Sequence, residues 1–110
     1  MGSDALDLLP GTLDLLILRI VAREPAHGYG IAQRLKALSK DVLQAGESSL
    51  YPALQRLLQD GSLEAEWAAS DNNRRARYYT ITKAGLKRLA AERREFDELV
   101  DAIRLVLRTA

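Results

Sequence analysis

In the stretch ESSLYPALQRLLQDG (47–61), the polar residues Ser48, Ser49, Tyr51, Gln55, Arg56 and Gln59 recur opposite Leu50, Leu54, Leu57 and Leu58. Arginine and glutamine carry the two-pronged hydrogen-bonding groups that read guanine and adenine edges in a major groove, and serine and tyrosine hydroxyls suit phosphate oxygens. Beyond Gly61 a second group, Asn72, Asn73, Arg74, Arg75 and Arg77, falls in one loop with its flanks. These residue types recognise a polyanion; they do not make or break bonds. No carboxylate pair, nucleophile–base set or phosphate-binding glycine loop stands out, so an enzyme is the weakest reading. The chain has no cysteine and a single histidine, His27, which nearly excludes a metal sensor; no metal and no cofactor are expected.

Net charge is only +1, but its distribution is uneven. From Arg74 to Arg94 there are eight basic residues against one acid, Glu92, whereas Glu95–Ala110 holds four acids against two arginines. A local basic excess beginning in one loop is the electrostatic footprint expected of a nucleic-acid-binding face. With 110 residues, the chain makes one modest core. No apolar run approaches the ~20 residues of a membrane span and nothing resembles a signal peptide, so a cytoplasmic protein without a membrane partner is expected.

The elements that must position these groups follow from hydrophobic period. Leu13–Val21 (LDLLILRIV) is apolar on nearly every side, with Thr12 a natural N-cap after the Pro10-Gly11 break. Such a helix needs cover on more than one side, and in so small a protein the second cover is expected from another chain, through Leu13 and Ile17. A second helix is expected from about Tyr29 to Ser39, with Ile31, Leu35 and Leu38 inward, Tyr29 in the core and His27 packing or capping at its start. A brief strand at Val42–Leu43 precedes the third helix.

Pro52 lies inside the leucine pattern of that third helix. With Ser49 as N-cap, Pro52 falls in the first turn, where its missing N–H has no intrahelical partner to lose. Gly61 then supplies the C′ stop. Past it the period becomes two: Leu63, Ala65 and Trp67 alternate with Glu64 and Glu66, and Tyr79 and Ile81 with Tyr78 and Thr80. That predicts a hairpin with a basic tip. Trp67 is expected to pack in the core or the hairpin, and Tyr78 to reach the nucleic-acid backbone.

Thr82 caps a last helix from Lys83 to about Arg108, roughly 39 Å long. Phe96, Val100, Ile103 and Leu107 follow one another at spacings of 4, 3 and 4, with Leu99 and Val106 alongside. Burying four such side chains at ~1.5–3 kcal/mol each is enough to drive self-association.

The fold class is therefore mainly α with a small β-hairpin: a winged helix-turn-helix at residues 1–85 and a long dimerisation helix at 86–110, with 6–21 contributing to the dimer. In this plan the third helix enters the groove and the hairpin flanks it. The competing reading, a winged-helix module that binds protein through the same face, sits less well with a basic wing and an Arg/Gln-bearing helix.

The segments LLPGTLDLLIL (8–18), HGYGIAQRL (27–35), SLYPALQRLLQDG (49–61) and YYTITKAG (78–85) together resemble the PadR-type transcriptional regulators, over nearly the whole chain. The short tail is similar to the small subfamily, in which one long C-terminal helix replaces a larger dimerisation domain. Many relatives carry a Gly-Arg-Pro type of wing tip, where this chain has DNNRRAR (71–77). The resemblance implies a homodimeric repressor on double-stranded DNA with an inverted-repeat operator, with the residues matching Ser49 and Tyr51 at the DNA-facing end of the third helix. It also implies, as in some members, a flat hydrophobic or phenolic effector near the dimer interface, for which Phe96 is the candidate contact.

Overall fold

A computed structural model describes residues 11–109. The parts of the expected segments 1–85, 6–21 and 86–110 that fall on residues 1–10 and 110, Pro10 among them, lie outside the described residues. The element order is α1 (Thr12–Arg23), β1 (Ala26–His27), α2 (Gly28–Leu38), α3 (Glu47–Gln59), β2 (Leu63–Ala69), β3 (Arg75–Ile81) and α4 (Lys83–Thr109). The sheet is antiparallel with order β1-β3-β2, so the three-helix head is closed by a hairpin and one extra short strand. Among the described residues no helix is long and apolar enough to cross a membrane.

α1 is the central helix, touching α2, α3, β3 and α4. Leu13, Ile17, Leu18, Ile20 and Val21 are all buried within this one chain. Leu13 and Ile17 therefore do not wait for a second chain: the sheet and α4 supply the cover the sequence assigned to a partner. Gly11, with φ of 88°, takes the N-cap position expected of Thr12.

α2 buries Ile31 and Leu35, and His27 caps it by accepting the Gly30 N–H at Nδ1, 2.9 Å away. Tyr29 and Leu38 depart from expectation, at 68% and 75% exposed. Tyr29 is two residues from Ile31, which puts it far round the helix from the Ile31/Leu35 stripe. Leu38 is the last helical residue, where the chain has already turned away through Lys40 and Asp41 in left-handed conformations. Of the brief strand expected at Val42–Leu43, only an isolated β-bridge at Leu43 forms, and it is not one of the sheet's three strands; the third strand is Ala26–His27, paired with Tyr79 and Tyr78.

α3 starts earlier than the sequence suggests. Gly46 is the N-cap, extended at φ −82° and ψ 171°, and Ser49 is already helical, its N–H bonded to the Gly46 carbonyl at 3.1 Å. Pro52 consequently sits in the second turn, where its ring nitrogen has no hydrogen to give the Ser48 carbonyl; one ladder bond is missing. Leu50, Ala53, Leu54 and Leu57 hold the helix by burial. At its end Gly61, at φ 81°, allows the Ser62 N–H to reach the Leu57 carbonyl at 2.9 Å and its own N–H to reach Leu58 at 3.2 Å. That pair of bonds is a Schellman stop.

Thr82 caps α4 as expected, accepting the Gly85 N–H at 3.0 Å. Only Gly85 is buried along this 27-residue helix, with Leu89 packed against the core. Further along, Phe96, Leu99, Ile103, Val106 and Leu107 are exposed, with Leu107 at 75%.

Candidate nucleic-acid interface

α3 presents Ser48, Ser49, Tyr51, Pro52, Gln55, Arg56 and Gln59 outward, because Leu50, Ala53, Leu54 and Leu57 claim the inner side. The Tyr51 ring lies against Gly28, in the first turn of α2. A Cβ on Gly28 would come within 3.1 Å of the ring, so the missing side chain sets where Tyr51 rests.

The hairpin register assigns its two faces. Leu63↔Ile81, Ala65↔Tyr79, Trp67↔Arg77 and Ala69↔Arg75 share the face that continues from the core. Glu64, Glu66, Tyr78 and Thr80 occupy the other. Burial fades outward along the inner face: Leu63 and Tyr79 are buried, Ala65 is half-buried and Trp67 is 59% exposed. The hairpin outlasts the core. Trp67 thus packs within the wing and not in the core, with the Arg75 guanidinium 5.7 Å from its ring centre. The result is a wing basic on one side and acidic on the other.

The turn that joins the strands is ordered by its own polar groups. The Asn73 N–H bonds the Ser70 carbonyl at 2.8 Å and the Ser70 N–H bonds the Arg74 carbonyl at 2.7 Å, with Asn73 left-handed at φ 63°. The Asn72 Oδ1 is 2.6 Å from the Ser70 hydroxyl. Asparagine tolerates both arrangements without strain.

Tyr51 and Gln55 from α3 face Asn72, Arg74, Arg75 and Arg77 from the wing across an open cleft of about 680 Å³. Six of the residues singled out in the sequence are thereby brought together. Ser48, Ser49 and Pro52 are exposed on α3 but do not line the cleft, and nor does Asn73. Arg56 turns aside to the buried Asp14 of α1, at 3.0 Å. Tyr78, on the acidic face of the wing, packs edge-on against His27 with ring centres 5.3 Å apart. Phe96 lies on α4, away from the cleft lining.

Sequence reasoning missed Tyr29, Gln33 and Trp67 as lining residues. The strand alternation did place Trp67 on the correct face; what it lacks is any measure of how far the core extends. Tyr79 closes the cleft floor as a buried residue whose phenol is pushed above its ordinary value, mainly by burial, so it stays neutral.

Comparison with known proteins agrees with this arrangement. The model of the transcriptional regulator PadR-like family matches residues 17–91. A transcriptional regulator of Mycobacterium tuberculosis is 36% identical over 85 residues, covering 77% of this chain and 76% of that protein. Among solved structures, a PadR-like transcriptional regulator from Bacillus cereus superposes with a TM-score of 0.77 at 26% identity, covering 91% of this chain and 95% of that one. A PadR family transcriptional regulator from Eggerthella lenta gives a TM-score of 0.75 at 32% identity, over 91% and 85% of the two chains.

Proposed function

The chain belongs to the PadR-like family of transcriptional regulators, and from that premise we propose that it is a homodimeric, sequence-specific repressor whose recognition helix is α3. The observation that carries the reading is the cleft in which Tyr51 and Gln55 stand opposite Arg74, Arg75 and Arg77. Gln55 is the base-reading candidate. Tyr51, Ser48 and Ser49 serve phosphates, and the wing arginines hold the flanking backbone or minor groove. Arg56 joins them by exchanging Asp14 for a phosphate. Residues 1–85 bind DNA and 86–110 dimerise.

The exposed row Phe96, Leu99, Ile103, Val106 and Leu107, with Val100 half-buried among them, supports a second copy as the partner of α4. A two-fold dimer presents its recognition helices about one DNA turn apart, ~34 Å, which calls for an inverted repeat. A flat hydrophobic or phenolic effector at that interface, touching Phe96, would release the DNA. Working on the genome places the protein in the cytoplasm.

Selection of binding sites from random duplex DNA, followed by footprinting near the gene, tests the proposal. A palindromic, salt-sensitive site is the expected result. Weak binding indifferent to sequence overturns it.

A further inference from the structure

Arg88 reaches groups on three parts of the fold. Its guanidinium is 3.5 Å from Asp14 on α1 and 3.4 Å from the Ser62 hydroxyl, and it forms ion pairs with Asp60, which ends α3, and with Glu92 one turn along α4. The same Asp14 carboxylate takes Arg56 of α3. One buried carboxylate is thus gripped from the α3 side and from the α4 side at once.

The junction is fastened twice more. The Thr82 hydroxyl donates to the Gly61 carbonyl at 2.6 Å while capping α4, and the Thr82 N–H bonds the Ser62 carbonyl at 3.0 Å. Gly85 approaches so closely that a Cβ there would overlap the Ser62 carbonyl oxygen and come within 2.7 Å of Ile81. α4 therefore leaves the head from a seat built on the turn that follows α3.

Building on the dimeric DNA-binding reading, we infer that Arg88 is a positioning residue for operator binding. By tying the first turns of α4 to Asp14 and Asp60, it fixes the angle between the dimerisation helix and the recognition helix, and with it the separation of the two recognition helices. Small angles matter here. A tilt of about 5° at one end of a rod about 40 Å long moves the other end by about 3.5 Å, close to the ~3.4 Å rise of one base pair. Four polar partners on one guanidinium, two of them (Asp14 and Ser62) buried, resist such a tilt better than a single exposed ion pair would.

The test uses the full chain and selected palindromic duplexes whose half-site spacing is kept, lengthened or shortened by one base pair, together with a single half-site duplex. The wild-type protein is expected to lose about 10-fold in affinity or more when the spacing changes. Arg88→Met, which keeps the aliphatic stem, is expected to bind the single half-site within about 2-fold of wild type, remain dimeric by sedimentation, and discriminate spacings by less than about 3-fold. Arg88→Lys, which retains a charge near Asp14, should partly restore discrimination. If Arg88→Met does not fold, Asp60→Asn at the exposed end of the network carries the same expectation. A wild-type spacing ratio in a folded, dimeric variant overturns the inference, as does a wild-type dimer indifferent to spacing. Failure of the wild-type chain to bind any duplex selectively overturns the DNA reading instead.

Discussion

Arg56 donates to the Asp14 carboxylate at 3.0 Å, joining an exposed side chain of α3 to a nearly buried one of α1. Asp14→Asn removes the charge that Arg56 and Arg88 share, and is expected to cost about 1–3 kcal/mol of stability in urea unfolding. Arg56→Ala costs less, because its side chain is largely exposed and Arg88 remains to neutralise Asp14. If Arg56 moves to a phosphate in the complex, the same variant lowers the salt dependence of operator binding by about one unit of slope.

Gln55→Ala is expected to weaken operator binding by about 1–3 kcal/mol and to relax selectivity at one base position. Tyr51→Phe weakens binding across sequences without changing the melting temperature, since its ring is half-exposed. Gly28→Ala should mimic it by pushing the Tyr51 ring from its seat. Gel-shift titration beside thermal melts separates the two kinds of effect; unchanged affinity in all three removes α3 from the interface.

The two faces of the wing should respond oppositely to charge removal. Arg75→Gln and Arg77→Gln each reduce the salt slope by about one unit, whereas Glu64→Gln and Glu66→Gln leave it unchanged or raise affinity slightly. Equal effects from both faces would show that the wing does not present its inner side to DNA.

Phe96→Asp combined with Ile103→Asp places charges in the exposed row of α4. The head does not depend on these residues, so the melting curve of the head stays near wild type while sedimentation shows monomers and operator affinity falls about 100-fold or more. An intact dimer would move the interface elsewhere.

Asp60 gives a pH signature. Burial works to raise its pKa, but the hydrogen bonds from Ser62 and the charge of Arg88 outweigh it and hold the carboxyl below its ordinary 3.8. A carboxylate depressed on folding contributes stability above its unfolded pKa, and loses it as pH falls through the lower folded value. Thermal stability should thus drop below about pH 4, and Asp60→Asn should make that drop shallower.

Much of this fold was legible because local chemistry decides it. The leucine stripe of α3, the Gly61 stop, the hairpin alternation and the Thr82 cap all rest on residues within a few positions of one another. The misses share a different cause. β1 is two residues long and has no period to read. Ser49 lost the cap to Gly46 because an extended glycine three residues earlier let the helix begin sooner. Tyr29 and Trp67 became cleft residues only because the core ends beneath them. The Arg56–Asp14 pair spans 42 positions, so no local pattern in the sequence announces it.

Trp67 is the one tryptophan of the chain, and it stands on the cleft face of the wing beside Arg75. The protein therefore carries its own optical reporter at the spot where occupancy matters. Indole emission observed without any attached dye follows the cleft alone, so arrival and departure of a bound molecule there can be timed directly on the unmodified protein.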